Sequence, residues 1–328
     1  MSSKPIFVVV NAFSKQGISI INTLVEEGNY HIRATTTRPV DTPAALKLKE
    51  RGVEVFQVDS TKKSDFNRVF KGAQSAFLMT PAISYTDPDY FKKEIEYVKY
   101  QADAALEEKL EHVIFSSVDS PVLTDAHRAE FKFDILTCRT IVQQYIESLP
   151  FKYVSTFNLA FFYSNQIEFI PLIRNEDGSA ELALPLQPND SLPYIDTYTA
   201  TGPIVSEFLK HPYQYNRAVV PVVAEYLTGI QLAEIFQEVT GIKTTFRSLD
   251  RQAYIEAGGL NAAPELELLG NRLFEIWDST AKYGYYYKHR NTNLSNEINP
   301  KQLNWRQFLE TTKWTGESYQ EFRDKNNY

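Results

Sequence analysis

The sequence predicts an α/β fold, in which a doubly wound parallel sheet of the Rossmann type is followed by a smaller C-terminal α+β lobe. Two observations carry this prediction. The segment 4–36 has the pattern of a strand, a tight turn, a helix and a second strand, and strands and helices then alternate without a break to residue 157. Unbroken alternation indicates a parallel sheet with helices on both faces. The segment 4–36 is therefore interpreted as a βαβ unit, the mononucleotide-binding half of such a sheet.

The spacing of apolar residues justifies each part of this first unit. Residues 6–10 form a near-continuous β-branched run, typical of a strand buried on both faces. Gly28 suits the end of a helix, and 31–36 is again rich in β-branched residues, which favours a second, parallel strand. Between them, one apolar stripe at helical spacing consists of Ile18, Ile21, Leu24 and Val25.

The later elements continue the alternation. Helices are predicted over 43–50, 62–70, 90–108 and 131–148, and strands over 53–58, 75–79, 112–117 and 153–157. From residue 159 the pattern loosens, with helices at 197–209 and 228–240, strands at 217–223 and 244–248, and a helical, aromatic tail from 264. We predict a Rossmann-type core over 1–158. A smaller lobe over 159–328 should pack on the carboxyl edge of the sheet, with some of its strands and helices completing the core.

The composition argues against several functional classes. The chain has 328 residues, of which 43% are hydrophobic, enough for a large core. A net charge of −7 without a basic block argues against direct nucleic-acid binding. Cys138 is the single cysteine, which excludes an intrachain disulfide and suits a reducing compartment. The short N-terminal apolar run belongs to the first strand, and no run reaches membrane-spanning length. We expect a soluble, cytoplasmic protein, with a nuclear location also open.

The turn after the first strand bears on function, and it reads Asn11-Ala12-Phe13-Ser14-Lys15-Gln16-Gly17. A dinucleotide-binding turn usually carries glycines, because its backbone adopts conformations that strain other residues and must closely approach a pyrophosphate. Only Gly17 remains of a G-x-x-G-x-x-G pattern. Asn11 tolerates a left-handed conformation, and Ser14 puts a side chain where a phosphate would rest. The turn therefore predicts a dinucleotide-binding fold in which cofactor binding is weak or lost.

Several segments, in order and spacing, resemble the NmrA-like family of atypical short-chain dehydrogenase/reductase folds. They are the S-K-Q-G turn in place of T-G-x-Q-G, Thr37-Arg38-Pro39, Gly52-Val53-Glu54-Val55 running to Asp59, Lys71-Gly72-Ala73 before Phe77-Leu78-Met79-Thr80, the strand His112-Val113-Ile114-Phe115-Ser116-Ser117, and Phe162-Tyr163-Ser164-Asn165. The resemblance covers nearly the whole chain. Many members are NAD(P)-sensing regulators rather than enzymes, which implies a regulator or redox sensor acting through a transcription factor or signalling protein. We expect a monomer or homodimer.

The resemblance also implies a site for NAD or NADP. It places the phosphate turn on 11–17, the arginine that reads a 2′-phosphate at Thr37 or Arg38, and the adenine-side acidic residue at Asp59. The loop along the cofactor falls on 80–82, the lysine of the helix after strand five on Arg139, and the nicotinamide-side loop on 162–165. The candidate cofactor-binding residues are therefore Asn11, Phe13, Ser14, Lys15, Gln16, Gly17, Thr37, Arg38, Asp59, Thr80, Pro81, Arg139, Phe162 and Asn165.

Departures from the family pattern imply a loss of catalysis. The Tyr-x-x-x-Lys pair of active dehydrogenases falls on Ile135 and Arg139. Isoleucine has no proton to give, and arginine does not readily lose its proton near neutral pH. Since hydride transfer needs an acid at the carbonyl oxygen, we expect no catalytic residue and a non-catalytic protein.

Two other functions stay open. One is an NAD(P)-dependent reductase whose acid comes from elsewhere, for example from Tyr85, His127 or Tyr163. The other is an interaction protein without a cofactor that uses the cleft for another ligand. No histidine pair has metal-ligand spacing, so no metal site is predicted.

Several residues have a structural interpretation beside the functional one. Arg38 is either a phosphate contact or an exposed arginine before a proline, and Asp59 either brackets an adenine or caps the next helix. Ser116 and Ser117 are expected to form hydrogen bonds at a strand end, and Cys138 is expected in the core. The loop 82–89 is a lid or a connection. Packing within the lobe, rather than a partner surface, is expected for Tyr283, Tyr285, Tyr286 and Tyr287.

Overall fold

The computed structural model describes residues 4–81, 83–119, 134–170 and 172–326, with the backbone alone at 134, 135 and 326. Its strands are β1 (Ile6–Val9), β2 (His31–Thr36), β3 (Glu54–Gln57), β4 (Ser75–Leu78), β5 (His112–Ser117), β6 (Tyr153–Leu159), β7 (Phe161–Phe162), β8 (Ile173–Arg174), β9 (Ala180–Leu184), β10 (Ser191–Ile195), β11 (Val219–Val222), β12 (Glu225–Thr228) and β13 (Thr244–Ser248). Its helices are α1 (Lys15–Glu27), α2 (Pro43–Glu50), α3 (Lys63–Phe70), α4 (Tyr90–Glu107), α5 (Asp134–Ser148), α6 (Asn165–Glu168), α7 (Thr197–Lys210), α8 (Gly229–Thr240), α9 (Arg251–Ala257), α10 (Pro264–Tyr283), α11 (Leu294–Ile298), α12 (Trp305–Thr312) and α13 (Tyr319–Asn326).

A seven-stranded parallel sheet forms the centre, in the order β11-β6-β5-β4-β1-β2-β3. The strand order reverses between β1 and β4, and ligands of doubly wound sheets bind in the crevice at that switch point. The predicted fold class is confirmed. The predicted elements before residue 159 are present within one or two residues wherever the structure describes them. The predicted polar loop 120–129 and the start of the 131–148 helix lie outside the described residues.

The alternation of β1 explains the two helical layers. Phe7 and Val9 face a cluster that includes α1 and α7, whereas Val8 faces a second cluster that includes α3, α4 and α5. All three side chains are fully buried. β1 is therefore covered on both faces, as its continuous apolar run predicts.

The C-terminal half contributes to this sheet and builds two smaller ones. β11 joins the sheet beside β6. The small sheets run β12-β10-β7 and β13-β9-β8, and strands 180–184 and 191–195 were not predicted. Their signal is weak because the strands are short and prolines interrupt the region, with Pro193 itself inside β10. The division at residue 158 stays a prediction.

The lobe has its own aromatic core. It centres on buried side chains that include Tyr163, Tyr194, Trp305 and Trp314. α8 begins at the predicted cap Thr228, which forms a capping box with Gln231. Among the described residues, no helix is both long enough and apolar enough to cross a bilayer.

Candidate functional site

The turn after β1 is held in shape by Asn11. Its φ of 57° is left-handed, as predicted. Its backbone N–H donates to Thr35 Oγ1 at 3.1 Å, and its Nδ2 donates to the Thr80 carbonyl at 3.1 Å. Asn11 therefore takes the place of a glycine and also ties the turn to the loop that follows β4.

Ser14 and Gly17 form the start of α1. The Ser14 hydroxyl accepts a hydrogen bond from the Gly17 N–H at 3.0 Å, which makes Ser14 the N-cap. A Cβ on Gly17 would lie 2.6 Å from the Ala12 carbonyl oxygen, so only glycine fits there. Ser14 thus occupies an N–H that a glycine-rich turn leaves to a phosphate.

The first turn of α1 still offers donors to an anion. Within the described part of the chain, the backbone N–H groups of Phe13, Lys15 and Gln16 have no hydrogen-bond acceptor. Unpaired N–H groups at a helix N-terminus favour an anion, since the helix dipole adds a partial positive charge. The turn can therefore still bind a phosphate, with fewer donors than a glycine-rich turn.

Lys15 links this turn to the predicted nicotinamide-side loop. Its Nζ lies 2.7 Å from Ser164 Oγ and 2.6 Å from Glu168 Oε2, and 5.9 Å from the centre of the Phe162 ring. Asn165 begins α6, and Glu168 ends it. The structure therefore brings together the two predicted segments 11–17 and 162–165, and Glu168 already neutralises the lysine that lies between them.

A cavity of about 670 Å³ lies beside the turn, at the carboxyl ends of β1 to β4. Four predicted residues line it, namely Asn11, Thr37, Asp59 and Pro81. Thr80 is buried next to Pro81. The sequence reasoning missed the remaining lining residues, which are Gln57, Val58, Ser60, Thr61, Asp65, Ile83 and Tyr97. Most of them flank Asp59 or Pro81, so proximity to the predicted residues was the available signal.

Asp59 shapes the wall of this cavity and does not cap α3. Its carboxylate accepts from the Thr61 N–H and hydroxyl at 3.0 and 2.7 Å and pairs with Lys62 Nζ at 3.0 Å. Hydrogen bonds from Thr61, together with Lys62, lower the pKa of Asp59 to about 2. α3 begins at Lys63 without a side-chain cap. The capping interpretation is therefore wrong.

Thr37 and Arg38 occupy different positions. Thr37 lines the cavity. The Arg38 backbone N–H donates to Thr36 Oγ1 at 3.0 Å and its side chain is exposed. Both interpretations of Arg38 fit this position and stay open.

Arg139 lies in α5 and is bound to the buried Glu94 and the half-buried Tyr85. Its Nε lies 3.0 Å from Glu94 Oε1, and its Nη2 lies 3.3 Å from the Tyr85 hydroxyl. Glu94 is only 1% exposed. Burial opposes the charge of Arg139, but the Glu94 carboxylate raises the pKa of the guanidinium above its ordinary value. The guanidinium is therefore a permanent cation, as predicted. Glu94, at a buried position of α4, was missed.

The alternative acids differ in their surroundings. Tyr163 is fully buried and donates to Glu225 Oε1 at 2.6 Å. Burial, together with the Glu225 carboxylate, raises the pKa of Tyr163 well above its usual value. Tyr163 therefore cannot act as the acid, which corrects that alternative. Tyr85 lies beside Arg139, whereas His127 and the side chain of Ile135 lie outside the described residues.

The segment 285–290 packs against the carboxyl ends of β5 and β6. Asp119, just after β5, accepts from Arg290 Nη2 at 2.8 Å, from the Tyr287 N–H at 3.0 Å and from Asn158 Nδ2 at 2.9 Å. Tyr286 donates to the Asn158 carbonyl at 3.1 Å. We call 285–290 the strap. The strap therefore packs Tyr285, Tyr286 and Tyr287 against the central sheet rather than within the lobe's own core, and Asp119, which binds it, was missed.

Ser117 and Cys138, for which a structural role is expected, are both buried. The Ser117 hydroxyl lies 3.4 Å from the Arg139 carbonyl oxygen, and Cys138 is fully buried in the core, as predicted.

The loop after β4 is bound by Arg272 of α10, whose Nη1 donates to the Tyr85 carbonyl at 2.9 Å. Within the described ranges, no group of three His, Cys, Asp or Glu side chains could hold a metal ion.

The NmrA-like family model matches residues 3–312. An NmrA-like family domain-containing protein of Dictyostelium discoideum is 28% identical over 246 residues, 73% of this chain and 78% of that protein. The NmrA-like family domain-containing oxidoreductase FrzB of Cladobotryum sp is 24% identical over 279 residues, 80% of this chain and 81% of FrzB. The crystal structure of NmrA, a negative transcriptional regulator, in complex with NAD has a TM-score of 0.77 at 18% identity, covering 100% of this chain and 99% of NmrA. Its complex with NADP has a TM-score of 0.76.

Proposed function

Because this chain belongs to the NmrA-like family, we propose that it is a non-catalytic regulator that binds NAD(P) weakly and acts through a protein partner. The observation that carries the proposal is the state of Arg139. At the position that the resemblance assigns to a catalytic lysine, it is a permanent cation paired with the buried Glu94. A group in that state cannot exchange a proton with a substrate.

The adenosine half of a dinucleotide fits the residues that are present. The free N–H groups of Phe13, Lys15 and Gln16 would hold the pyrophosphate, and the cavity beside Thr37 and Asp59 would hold the adenosine. A bound NAD(P) would supply a redox-dependent charge, because its oxidised nicotinamide is cationic and its reduced form is not. NmrA itself was crystallised with both NAD and NADP.

Two features support weak rather than tight binding. Ser14 takes the Gly17 N–H for its own cap, which removes one donor from the phosphate. Lys15 is paired with Glu168, so a pyrophosphate must compete with a carboxylate for that charge. Each lost or shared contact weakens binding by roughly 1 kcal/mol, or about fivefold.

A dinucleotide titration tests this proposal. We expect isothermal titration calorimetry with NADP, NADPH, NAD and NADH to give dissociation constants of about 0.1 mM or weaker. We also expect no consumption of NADPH in the presence of quinones or aldehydes. Micromolar binding together with turnover of any such substrate would refute the non-catalytic proposal. Complete absence of binding, with no dinucleotide seen by native mass spectrometry, would favour an interaction protein without a cofactor.

A reductase is the second candidate. FrzB is named an oxidoreductase, and the Tyr85 hydroxyl lies 3.3 Å from Arg139 Nη2. A phenol hydroxyl can act as a general acid, so Tyr85 is the candidate proton donor for a reductase. If any NADPH-dependent turnover is found, Tyr85→Phe should abolish it, while Tyr97→Phe at the cavity wall should not. Unchanged turnover in Tyr85→Phe would exclude Tyr85 as the acid.

The partner can be sought directly. We expect the purified protein to retain a regulatory protein from a lysate, and the retained amount to change when NADP or NADPH is added at about ten times the measured Kd. Identical retention with and without the dinucleotide would argue against a sensor.

A further inference from the structure

β13 is an outer strand of the small sheet β13-β9-β8, with β9 as its neighbour on one side. The Lys243 carbonyl accepts from the Ala180 N–H, and the Leu249 N–H donates to the Leu184 carbonyl. Alternate residues of a strand bond to opposite sides. The odd-numbered residues of 243–249 therefore direct their backbone groups toward β9, and the even-numbered residues direct theirs away from the sheet.

We call the outward backbone groups of Thr244, Phe246 and Ser248 the β13 edge. The Thr244 N–H donates to Gln237 Oε1 of α8 at 3.0 Å. Within the part of the chain that the structure describes, the backbone N–H and C=O groups of Phe246 and Ser248 have no hydrogen-bond partner. Ser248 is exposed and Phe246 is half-buried. An open edge of this kind can accept an added strand.

The face of this edge toward α8 is apolar. The Phe246 ring packs on Gly229 at the start of α8, where a Cβ would lie 2.2 Å from it. The next residue, Ile230, is 39% exposed and lies two turns before Gln237 on the same side of the helix. Phe246 and Ile230 can therefore contact apolar side chains of an added strand, whereas carboxylates on this face would meet Glu234.

The opposite face of β13 carries positive charge. Lys243, Thr245 and Arg247 alternate along it, and all three are exposed. Arg247 Nε lies 3.0 Å from Glu181 Oε2 of β9, and the charge of Lys243 acts on Asp177 in the turn before β9. Both carboxylates come from the β9 side. A strand added at the open edge could therefore place carboxylates beside the two cations from the other side.

We propose that the β13 edge binds an extended segment of a protein partner, in which acidic and apolar residues alternate. Backbone hydrogen bonds to Phe246 and Ser248 hold the added strand, and its carboxylates pair with Lys243 and Arg247. The surface rests on the proposed function, because it would serve the partner of that function, but it requires no dinucleotide. A second copy of the chain fits less well, since two β13 edges would bring their cationic rows together.

A defined peptide tests this pairing. The probe is fluorescein-labelled acetyl-Glu-Val-Glu-Val-Glu-Val-Glu-amide, and its analogue carries lysine at every glutamate. Fluorescence anisotropy with the full chain at low salt should give a dissociation constant of about 10–100 µM for the acidic peptide. The lysine analogue should bind at least about tenfold more weakly, although the net charge of the chain is −7. Binding of the acidic peptide should weaken as salt rises.

Two variants separate backbone pairing from charge. Ser248→Pro removes an outward N–H and leaves the bonds to β9 in place, so it should weaken binding at least about tenfold. Ser248→Ala keeps that N–H and should bind as the wild type does. K243E/R247E should reverse the preference, so that the lysine analogue binds at least about tenfold more tightly than the acidic peptide. Thermal unfolding should show that each variant is folded, and K243E/R247E still decides the question if Ser248→Pro does not fold.

Three results would overturn the proposal. The first is the absence of saturable binding of the acidic peptide below about 1 mM, which would leave the proposed function to the dinucleotide titration. The second is equal affinity of the wild type for the two peptides, or equal affinity of the wild type and a folded Ser248→Pro for the acidic peptide. The third is a wild-type dimer in sedimentation velocity that Ser248→Pro abolishes, which would assign this edge to a second copy of the chain.

Discussion

At the scale of single residues, the Ser14 hydroxyl competes with any ligand of the first turn of α1. We expect Ser14→Gly to release the Gly17 N–H and to tighten NADP binding by about three- to tenfold. Glycine is nearly as good an N-cap as serine, so the free energy of unfolding should fall by only about 0.3 kcal/mol. Calorimetric titration and urea unfolding measure the two effects.

Ser14→Ala is the matched control for that experiment. Alanine loses the cap, which costs about 1 kcal/mol of stability, and keeps a Cβ at the turn. An equal gain in affinity for Ser14→Ala would show that the hydroxyl alone weakens binding. No gain for Ser14→Gly would contradict a phosphate site at this turn.

A second residue-scale effect is the pairing of Lys15 with Glu168. We expect Glu168→Gln to tighten NADP binding by about tenfold at low salt, because the lysine is then available to the pyrophosphate. The gain should shrink at high salt. Glu176→Gln, at an exposed position in the turn between β8 and β9, should leave binding unchanged. Equal affinity of Glu168→Gln and wild type would indicate that Lys15 does not contact the ligand.

At the scale of elements, a buried histidine joins β5 to β6. His112 Nε2 lies 2.9 Å from Ser155 Oγ, and burial lowers the pKa of His112 from 6.5 to about 4. Above pH 6.5 the histidine is neutral in both states. As the pH falls from about 6.5 to about 4, the unfolded chain binds a proton that the folded chain does not, so the free energy of unfolding falls by up to about 3 kcal/mol.

Urea unfolding at several pH values tests this expectation. His112→Gln keeps a side chain that can hydrogen-bond Ser155 but does not titrate, so it should lose about 1–3 kcal/mol less than wild type between pH 7 and pH 4.5. Parallel pH profiles for the two proteins would contradict the role of His112.

The contact between α1 and α7 depends on a glycine. A Cβ on Gly202 would lie 2.0 Å from Thr23 Oγ1 and 2.4 Å from the Ser19 carbonyl oxygen. We expect Gly202→Ala to push the helices apart and to lower the free energy of unfolding by about 1–3 kcal/mol. Lys210→Ala, on the exposed end of α7, should change it by less than about 0.5 kcal/mol. Urea unfolding compares the two, and a neutral Gly202→Ala would contradict the close packing.

In the same helix, a residue far away in the sequence satisfies the backbone carbonyl that Pro203 leaves without its helical donor. The pattern predicts a helix through Gly202-Pro203, although proline lacks the N–H that would bond to the Thr199 carbonyl. In the structure, Asn299 Nδ2 donates to that carbonyl at 3.2 Å. The apolar spacing that predicts α7 is visible in the sequence. The hydrogen-bond donor that satisfies the Thr199 carbonyl is not, because it comes from the distant C-terminal region.

At the scale of the whole molecule, the strap ties the C-terminal half to the sheet through Asp119. This carboxylate is 3% exposed and pairs with Arg290, which is 15% exposed. We expect Asp119→Asn to lower the free energy of unfolding by about 3 kcal/mol, because it leaves a largely buried arginine without its counter-charge. Urea unfolding monitored by tryptophan fluorescence is the measurement.

An exposed ion pair is the control for that effect. Lys152→Gln removes the pair with Glu111, in which both side chains are about half exposed. It should change the free energy of unfolding by less than about 1 kcal/mol. Similar losses in Lys152→Gln and Asp119→Asn would show that the strap contributes no more than a surface contact.

The sequence predicted the part of the candidate site that residues close together in the chain form. Asn11, Ser14 and Gly17 lie in one turn, and their conformations follow from local rules for left-handed residues and helix caps. Glu94, Glu168 and Asp119 were not predicted. Each pairs with a cation at least 45 positions away, so no local pattern marks it, and only the folded chain shows which cation it neutralises.

The sequence by itself determined the alternating strands and helices, the Rossmann-type sheet and the loss of two glycines from its phosphate turn, because hydrophobic periodicity and backbone preferences act over a few residues. The tertiary structure decided the placement of β11 in the sheet, the pairing of Lys15 with Glu168 and of Arg139 with Glu94, and the packing of the strap against the carboxyl ends of β5 and β6. These features depend on burial and charge pairing between distant segments, and such pairing is energetically defined only once the chain has folded and excluded water around it.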